Sequence, residues 1–465
     1  MQKALMIGIL SVVVFLVSMP MNESSYLLVL SIVILVSSLL VSFYGTGSAM
    51  YFSPSTTYLG LFTLMIYFGG MSLFINNGDG ALYGGGFRNY RFYIALNGSL
   101  LFLALGQLVA ILIKNFSPRA ELTKFRQQQW TDTFEPKHIQ ISIWILFGIS
   151  VILTLVYVSS RGGVPLLKAI TLYGTEEAYD VAKNSRAMFT RYGKGGGNYN
   201  YQGYFLQFYV VIIPFISLYF QAKYLYTKEK IYLFIWFGMF LIASFFLIMG
   251  LQRWPIMMFL ILNYLTYTNF QNKVKSSDVI VFVSISIVLF MLITTVRGLF
   301  EYEKMFTFVV RRIFDIQANV LYSLFELIPQ EEPFFHGKAI MKDIHGLLPG
   351  PGASFSRWLF LRMLGDIGSN AATAFIGELY ADFNQAGVFV GSFLAGYIMQ
   401  GVHIHYVRSK KTLPGMVIYV FITMCIAELA LVNIIVVIFQ FGIVTSYLII
   451  VYVIGTKDIF RLKPH

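Results

Sequence analysis

Nine arginines stand out by type and placement: Arg161, Arg186, Arg191, Arg253, Arg297, Arg311, Arg312, Arg357 and Arg362 share their polar segments with His336, His345, Asp366, Glu378 and Asp382. Arginine presents a rigid fork of donors that grips phosphate or pyrophosphate through two hydrogen bonds and keeps its charge when buried. A carboxylate or imidazole beside such a cluster can take a proton from an attacking hydroxyl. Together these groups suit transfer from a lipid-linked pyrophosphate to a hydroxyl. No Asp-x-Asp occurs, so the paired acids of a metal-bound nucleotide-sugar site are missing, and neither metal nor cofactor is expected. No nucleophile elbow or phosphate-binding glycine loop is present, and the triple glycines at 84–86 and 195–197 read as linkers. His403 and His405, beside "RSKK", read as parts of a solvated loop rather than metal ligands.

The elements that must position these residues lie in a membrane. Of 465 residues, 57% are hydrophobic and 12% charged, against about 25% charged in a soluble domain. Mean hydropathy is +0.69. Long apolar runs recur, most of them enough to cross a hydrocarbon core about 30 Å thick. They predict an all-α polytopic membrane protein, one integral membrane domain over 1–465, with twelve spans at 4–20, 26–45, 57–75, 92–113, 141–159, 204–220, 231–249, 256–270, 279–296, 386–400, 415–432 and 435–454. The opening "MQKALMIGILSVVVFLVSMP" resembles a secretory signal but lacks a small-x-small cleavage site, so it reads as the first helix. The single cysteine, Cys425, excludes a disulfide framework and sits in an apolar run as a small buried hydrophobe.

The formal charge of +12 reports topology rather than nucleic acid. With the N-terminus inside, 17 lysines and arginines fall on inward segments and 3 on short outward loops, which places both ends in the cytoplasm. The other 14 lie in two long outward segments, 160–203 and 297–385, and long loops translocate largely regardless of charge. Both segments are rich in aromatic and apolar residues, and loops of that length usually carry function. The first is expected to hold a short amphipathic helix near 176–192 and a glycine hinge at Gly195, Gly196 and Gly197. In the second, apolar residues at helical spacing predict a helix lying on or dipping into the outer leaflet, broken by "HGLLPGPGASFSRW".

Two acids need a reason. Glu378 and Asp382 stand one helical turn apart in "IGELYADFNQAG", just before the apolar run "VFVGSFLAGYIM". Like charges at that spacing cost a few tenths of a kcal/mol. Glu428, inside "MCIAELALVN", is an acid within a span, where insertion costs about 2.5–3.5 kcal/mol at the centre, so it is expected to face a cavity or a partner.

The chain resembles the Wzy-type oligosaccharide repeat-unit polymerases of bacterial O-antigen and capsule assembly. The resemblance covers the whole chain in architecture and is most specific at 376–387. There Gly377, Glu378, Tyr380, Phe383 and Gly387 match the family pattern G-E-x-Y-x-N-F-G-x-x-G, with Asp382 at the Asn position and Asn384 at the second Gly. "RGGVPLL" from Arg161 and the isolated Arg253 in "GLQRWP" are also family-like, and the family's Arg-x10-Gly motif reads onto Arg186…Gly197 and Arg357…Gly368.

The resemblance implies a GT-C-like architecture in the bacterial inner membrane with its active site facing the periplasm. The implied donor is a growing chain on undecaprenyl diphosphate and the acceptor a repeat unit on the same carrier, with membrane lipids and a chain-length regulator protein as partners and no nucleic acid. Arginines would stabilise the departing diphosphate: Arg253, Arg357 and Arg362 first, then Arg161 and Arg186, with Arg297, Tyr380, Asp382 and Glu428 completing the substrate-binding set. Glu378 is the leading base, followed by His345 and Asp366. The alternatives are an O-antigen ligase and a lipid-linked oligosaccharide flippase or other transporter. A transporter generally places charge at midplane and shows internal repeats, and no repeat between halves is found.

Overall fold

The computed structural model describes residues 23–48, 51–83, 86–134, 137–160, 163–172, 202–271, 276–296, 310–311, 313–347, 354–365, 371 and 373–440. Among them every named element is helical, and one isolated parallel bridge joins Thr131 to Thr412. Among the described residues eight helices are long and apolar enough to cross a membrane. In chain order we label α1 (Glu23–Thr46), α2 (Pro54–Ile75), α3 (Tyr90–Ile113), a short α4 (Pro118–Gln127), α5 (Lys137–Ser160), α6 (Phe205–Thr227), α7 (Lys230–Ile248), α8 (Trp254–Gln271), α9 (Ser276–Val296), α10 (Ile316–Leu327), α11 (Lys338–Leu347), α12 (Phe355–Leu364), α13 (Ala374–Arg408) and α14 (Leu413–Ala427).

This is a polytopic α-helical membrane protein, and eight of the twelve expected spans are clear among the described residues. The spans at 4–20 and, beyond Gln440, at 435–454 lie outside the described residues. The spans at 256–270 and 279–296 exist as α8 and α9 but do not join the eight. In α8 the cause is Asn263, Thr266, Thr268 and Asn269, which lower its hydropathy and are buried inside the bundle. Local signals fix where helices begin: the side chains of Ser53, Asn89 and Thr412 accept backbone N–H groups at the starts of α2, α3 and α14. Ile231, Phe234, Phe237 and Leu241 leave one side of α7 apolar and exposed, whereas α14 is buried along most of its length. Cys425 is buried.

The α3–α13 pair forms the spine. The backbones approach so closely that a Cβ on Gly106 would stand 2.0 Å from the Phe393 carbonyl oxygen, and one on Gly396 would stand 2.1 Å from that of Leu103. Small residues at a crossing permit this contact in a membrane, where apolar burial adds little between helices.

The helix expected to lie on or dip into the outer leaflet packs inside the protein over its described part. In α10, Ala318 through Leu327 are buried, because its polar residues find partners in the loop between α2 and α3. Asn319 donates to Gly80 O at 2.7 Å and accepts from Leu82 N at 2.6 Å, while Tyr322 donates to Phe87 O at 3.1 Å. A leaflet would offer those groups no fixed partner, so polar satisfaction draws the helix inward.

The opposite end of the bundle is closed by 114–134. Arg408 grips Glu121 through Nε at 2.7 Å and Nη2 at 2.8 Å. Asp132 meets Lys223 at 3.2 Å, both buried, and Thr131 hydrogen-bonds to the backbone on either side of Thr412. Burial pulls the Lys411 ammonium down to about 8, where it donates to Arg126 O and lies 4.5 Å from the Trp130 ring centroid. His403 and His405 do not share a solvated loop. They ride the last turns of α13, where His403 is buried between the Tyr419 hydroxyl at 2.8 Å and Thr46 O at 3.2 Å, while His405 is exposed.

Candidate functional site

The family-like stretch opens α13, and its acids are not solvent charges. Glu378 and Asp382 are both fully enclosed. Asp382 accepts from Ala339 N at 2.8 Å and Ile340 N at 3.0 Å, so it caps the start of α11 from a distant helix. Glu378 accepts from Ile434 N at 3.1 Å, at the start of the segment that follows α14. A third acid, Asp343 on α11, accepts from Phe355 N at 2.8 Å, the first residue of α12. Each carboxylate thus meets a backbone N–H at the beginning of another helical segment, where the local dipole favours negative charge. The repulsion foreseen between Glu378 and Asp382 is offset because each has its own donors.

Asp343 joins these pieces. Its second oxygen accepts from the Asn433 side-chain amide, and the Asn433 oxygen accepts from Ser356 Oγ at 3.3 Å. Consecutive residues donate to the two acids, Asn433 Nδ2 to Asp343 and Ile434 N to Glu378, so the two carboxyls are neighbours. Burial holds the Asp343 carboxyl above the ordinary carboxylate range, while its hydrogen bonds from Phe355 and Asn433 work against that shift. Glu378 Oε1 is buried and has no donor aimed at it among the described residues.

The first turns of α13 end in a kink. At Asn384 the backbone takes φ 58° and ψ −158°, a region almost reserved for glycine, and the helix breaks. The freed carbonyls of Ala381 and Asp382 accept from Phe335 N at 2.8 Å and His336 N at 3.1 Å. Asn384 Oδ1 takes the next N–H, that of Gln385, at 2.7 Å. Asn384→Gly is therefore expected to stabilise the protein by about 1 kcal/mol, since relief of strain exceeds one exposed hydrogen bond that water can replace. Thermal unfolding in detergent measures it, and a lowered midpoint contradicts the strain.

The other expected site residues separate. Tyr380 is buried, stacks on Phe325 with centroids 3.7 Å apart and donates to Ile328 O, an anchoring role. Arg357 is partly exposed near the start of α12, and Arg362, at the other end of that helix, forms an ion pair with Glu332. His345 is exposed on α11, away from the buried face that carries Asp343. The Arg253 guanidinium lies 4.8 Å from the Phe290 ring centroid. Its neighbour Trp254 donates to Glu428 at 2.7 Å, giving that buried acid the partner its position demands. Arg161, Arg186, Arg297 and Asp366 lie outside the described residues, as do the helix near 176–192 and the hinge at Gly195–Gly197.

Sequence reasoning missed Asp343, Ser356, Asn433 and Glu326. Asp343 had a readable signal: it stands four residues after Ala339, on the apolar face of an amphipathic helix. Glu326 is also buried, accepts from Asn89 at 2.8 Å, and is raised by burial. Asn433 carried no sequence mark beyond being a polar residue between two apolar runs. No protein-family model, curated protein or solved structure matches this chain.

Proposed function

We propose that this protein polymerises undecaprenyl-diphosphate-linked oligosaccharide repeat units into O-antigen or a similar surface polysaccharide, as a metal-independent glycosyltransferase at the outer face of the bacterial inner membrane. In this reading the end bearing Glu378 faces the periplasm and both termini are cytoplasmic. The observation that carries it is the shared frame of acid and arginine. Glu378, at the family-like position, abuts Asp343, and Asp343 in turn holds the first N–H of the helix that bears Arg357 and Arg362. The acceptor hydroxyl attacks the donor's anomeric carbon and gives its proton to Glu378, while the bond to diphosphate breaks and arginines take up the charge of the leaving group. Glu378 is enclosed in this conformation, so the hydroxyl reaches it only after the packing around it opens.

Deleting the gene in the bacterium that carries it and resolving the surface polysaccharide on a gel tests the reading. Core bearing a single repeat unit is expected. Bare core points to a ligase or flippase, and an unaltered ladder removes the proposal.

A further inference from the structure

Two buried carboxyls in contact cannot both be ionised at low cost, so such a pair commonly holds one proton between its members. The hydrogen-bond inventory around Asp343 and Glu378 is unequal. Asp343 receives two donors, Phe355 N and the Asn433 amide. Among the described residues Glu378 receives one, Ile434 N, and its Oε1 receives none although it is fully enclosed. A proton lying between the two carboxyls satisfies that oxygen and leaves the better-solvated partner charged.

We propose that Asp343 and Glu378 work as one proton-sharing pair, in which Asp343 is the charged member, Glu378 carries the shared proton, and that proton moves on to Asp343 when Glu378 takes the proton of the acceptor hydroxyl. The inference rests on the polymerase reading for its last step, whereas the sharing itself does not depend on it. The step balances. The acceptor O–H breaks as its oxygen bonds the anomeric carbon, and the bond from that carbon to the diphosphate oxygen breaks with its electron pair leaving on diphosphate. The hydroxyl proton passes to Glu378 as the proton already on Glu378 passes to Asp343. Asp343 touches no substrate and is a positioning and proton-accepting residue. Asp382, one turn along α13, is the further like charge acting on both members, and its own oxygens are held by Ala339 and Ile340.

Infrared difference spectroscopy of the full-length protein in lipid vesicles tests the sharing without any substrate. A carbonyl band of a protonated carboxylic acid is expected at neutral pH in the wild type and is lost in Glu378→Gln. In Asp343→Asn the amide replaces the charged neighbour. One of its N–H groups faces Glu378 and the other faces a flipped Asn433, so the fold survives. Without the neighbouring charge, the pH at which the band disappears is expected to fall by about one unit or more, a tenfold change in proton affinity. A band that persists in Glu378→Gln, or one whose titration does not move in Asp343→Asn, overturns the pair. Chain extension measured on the same variants keeps the two readings apart. An intact infrared result with no extension by the wild type defeats the polymerase reading alone, and extension with an unmoved band defeats the pair alone.

Discussion

Glu378→Gln is expected to lower chain extension by about 10²–10⁴-fold while leaving the protein folded and inserted. Glutamine keeps the length of the side chain, and its carbonyl oxygen still accepts from Ile434 N. Its amide points a donor at Asp343, where the wild type places the shared proton. The cap and the contact across α11 and α13 therefore persist, and only the capacity to accept and relay a proton is lost. Thermal unfolding should stay within about 1 kcal/mol of wild type, as for a substitution that breaks no hydrogen bond. Glu378→Ala differs. It leaves Ile434 N without its acceptor and opens a void beside Asp343, so it confounds stability with chemistry. Ladders of normal length from the glutamine variant would remove Glu378 from the reaction.

Much of the architecture was legible because membrane helices advertise themselves. Their length and apolarity follow from the thickness of the hydrocarbon core, so all eight long helices overlap runs marked from hydropathy alone. What could not be read was how polar residues are satisfied. Hydropathy does not say that Asn319 and Tyr322 will find the 80–87 loop, so a helix on or dipping into the leaflet was expected where α10 packs inside the protein. It does not say that Asp382 will cap α11 from 42 residues away along the chain, measured to Ile340. The local pattern at 376–387 picked out Glu378, but its partner Asp343 belongs to a different helix and the link between them is tertiary. The break at Asn384 shows only in the backbone.

Gly396→Val is expected to be a severely damaging packing change, costing about 3 kcal/mol or more. An added Cβ would stand 2.1 Å from the Leu103 carbonyl oxygen and 2.8 Å from its carbon. Those are backbone atoms of a facing helix, so no side-chain rotation relieves the clash. The two helices must separate, and they carry much between them. The start of α3 holds Asn89, which donates to Glu326, and Arg91, whose carbonyl accepts from Gln385 just past the kink. The far end of α13 holds Arg408 against Glu121. Parting the spine loosens both ends at once, so loss of monodisperse protein after detergent extraction is expected along with a lowered unfolding temperature. Gly401, five residues on in the same helix, gives the control. A Cβ there meets nothing within 4 Å, and alanine favours a helix over glycine by about 1 kcal/mol, so Gly401→Ala should be neutral or stabilising. Gly396→Ala adds the same single carbon and should still destabilise, so opposite outcomes of alanine at these two glycines come from what faces them. Equal outcomes would mean that α3 and α13 do not meet backbone to backbone.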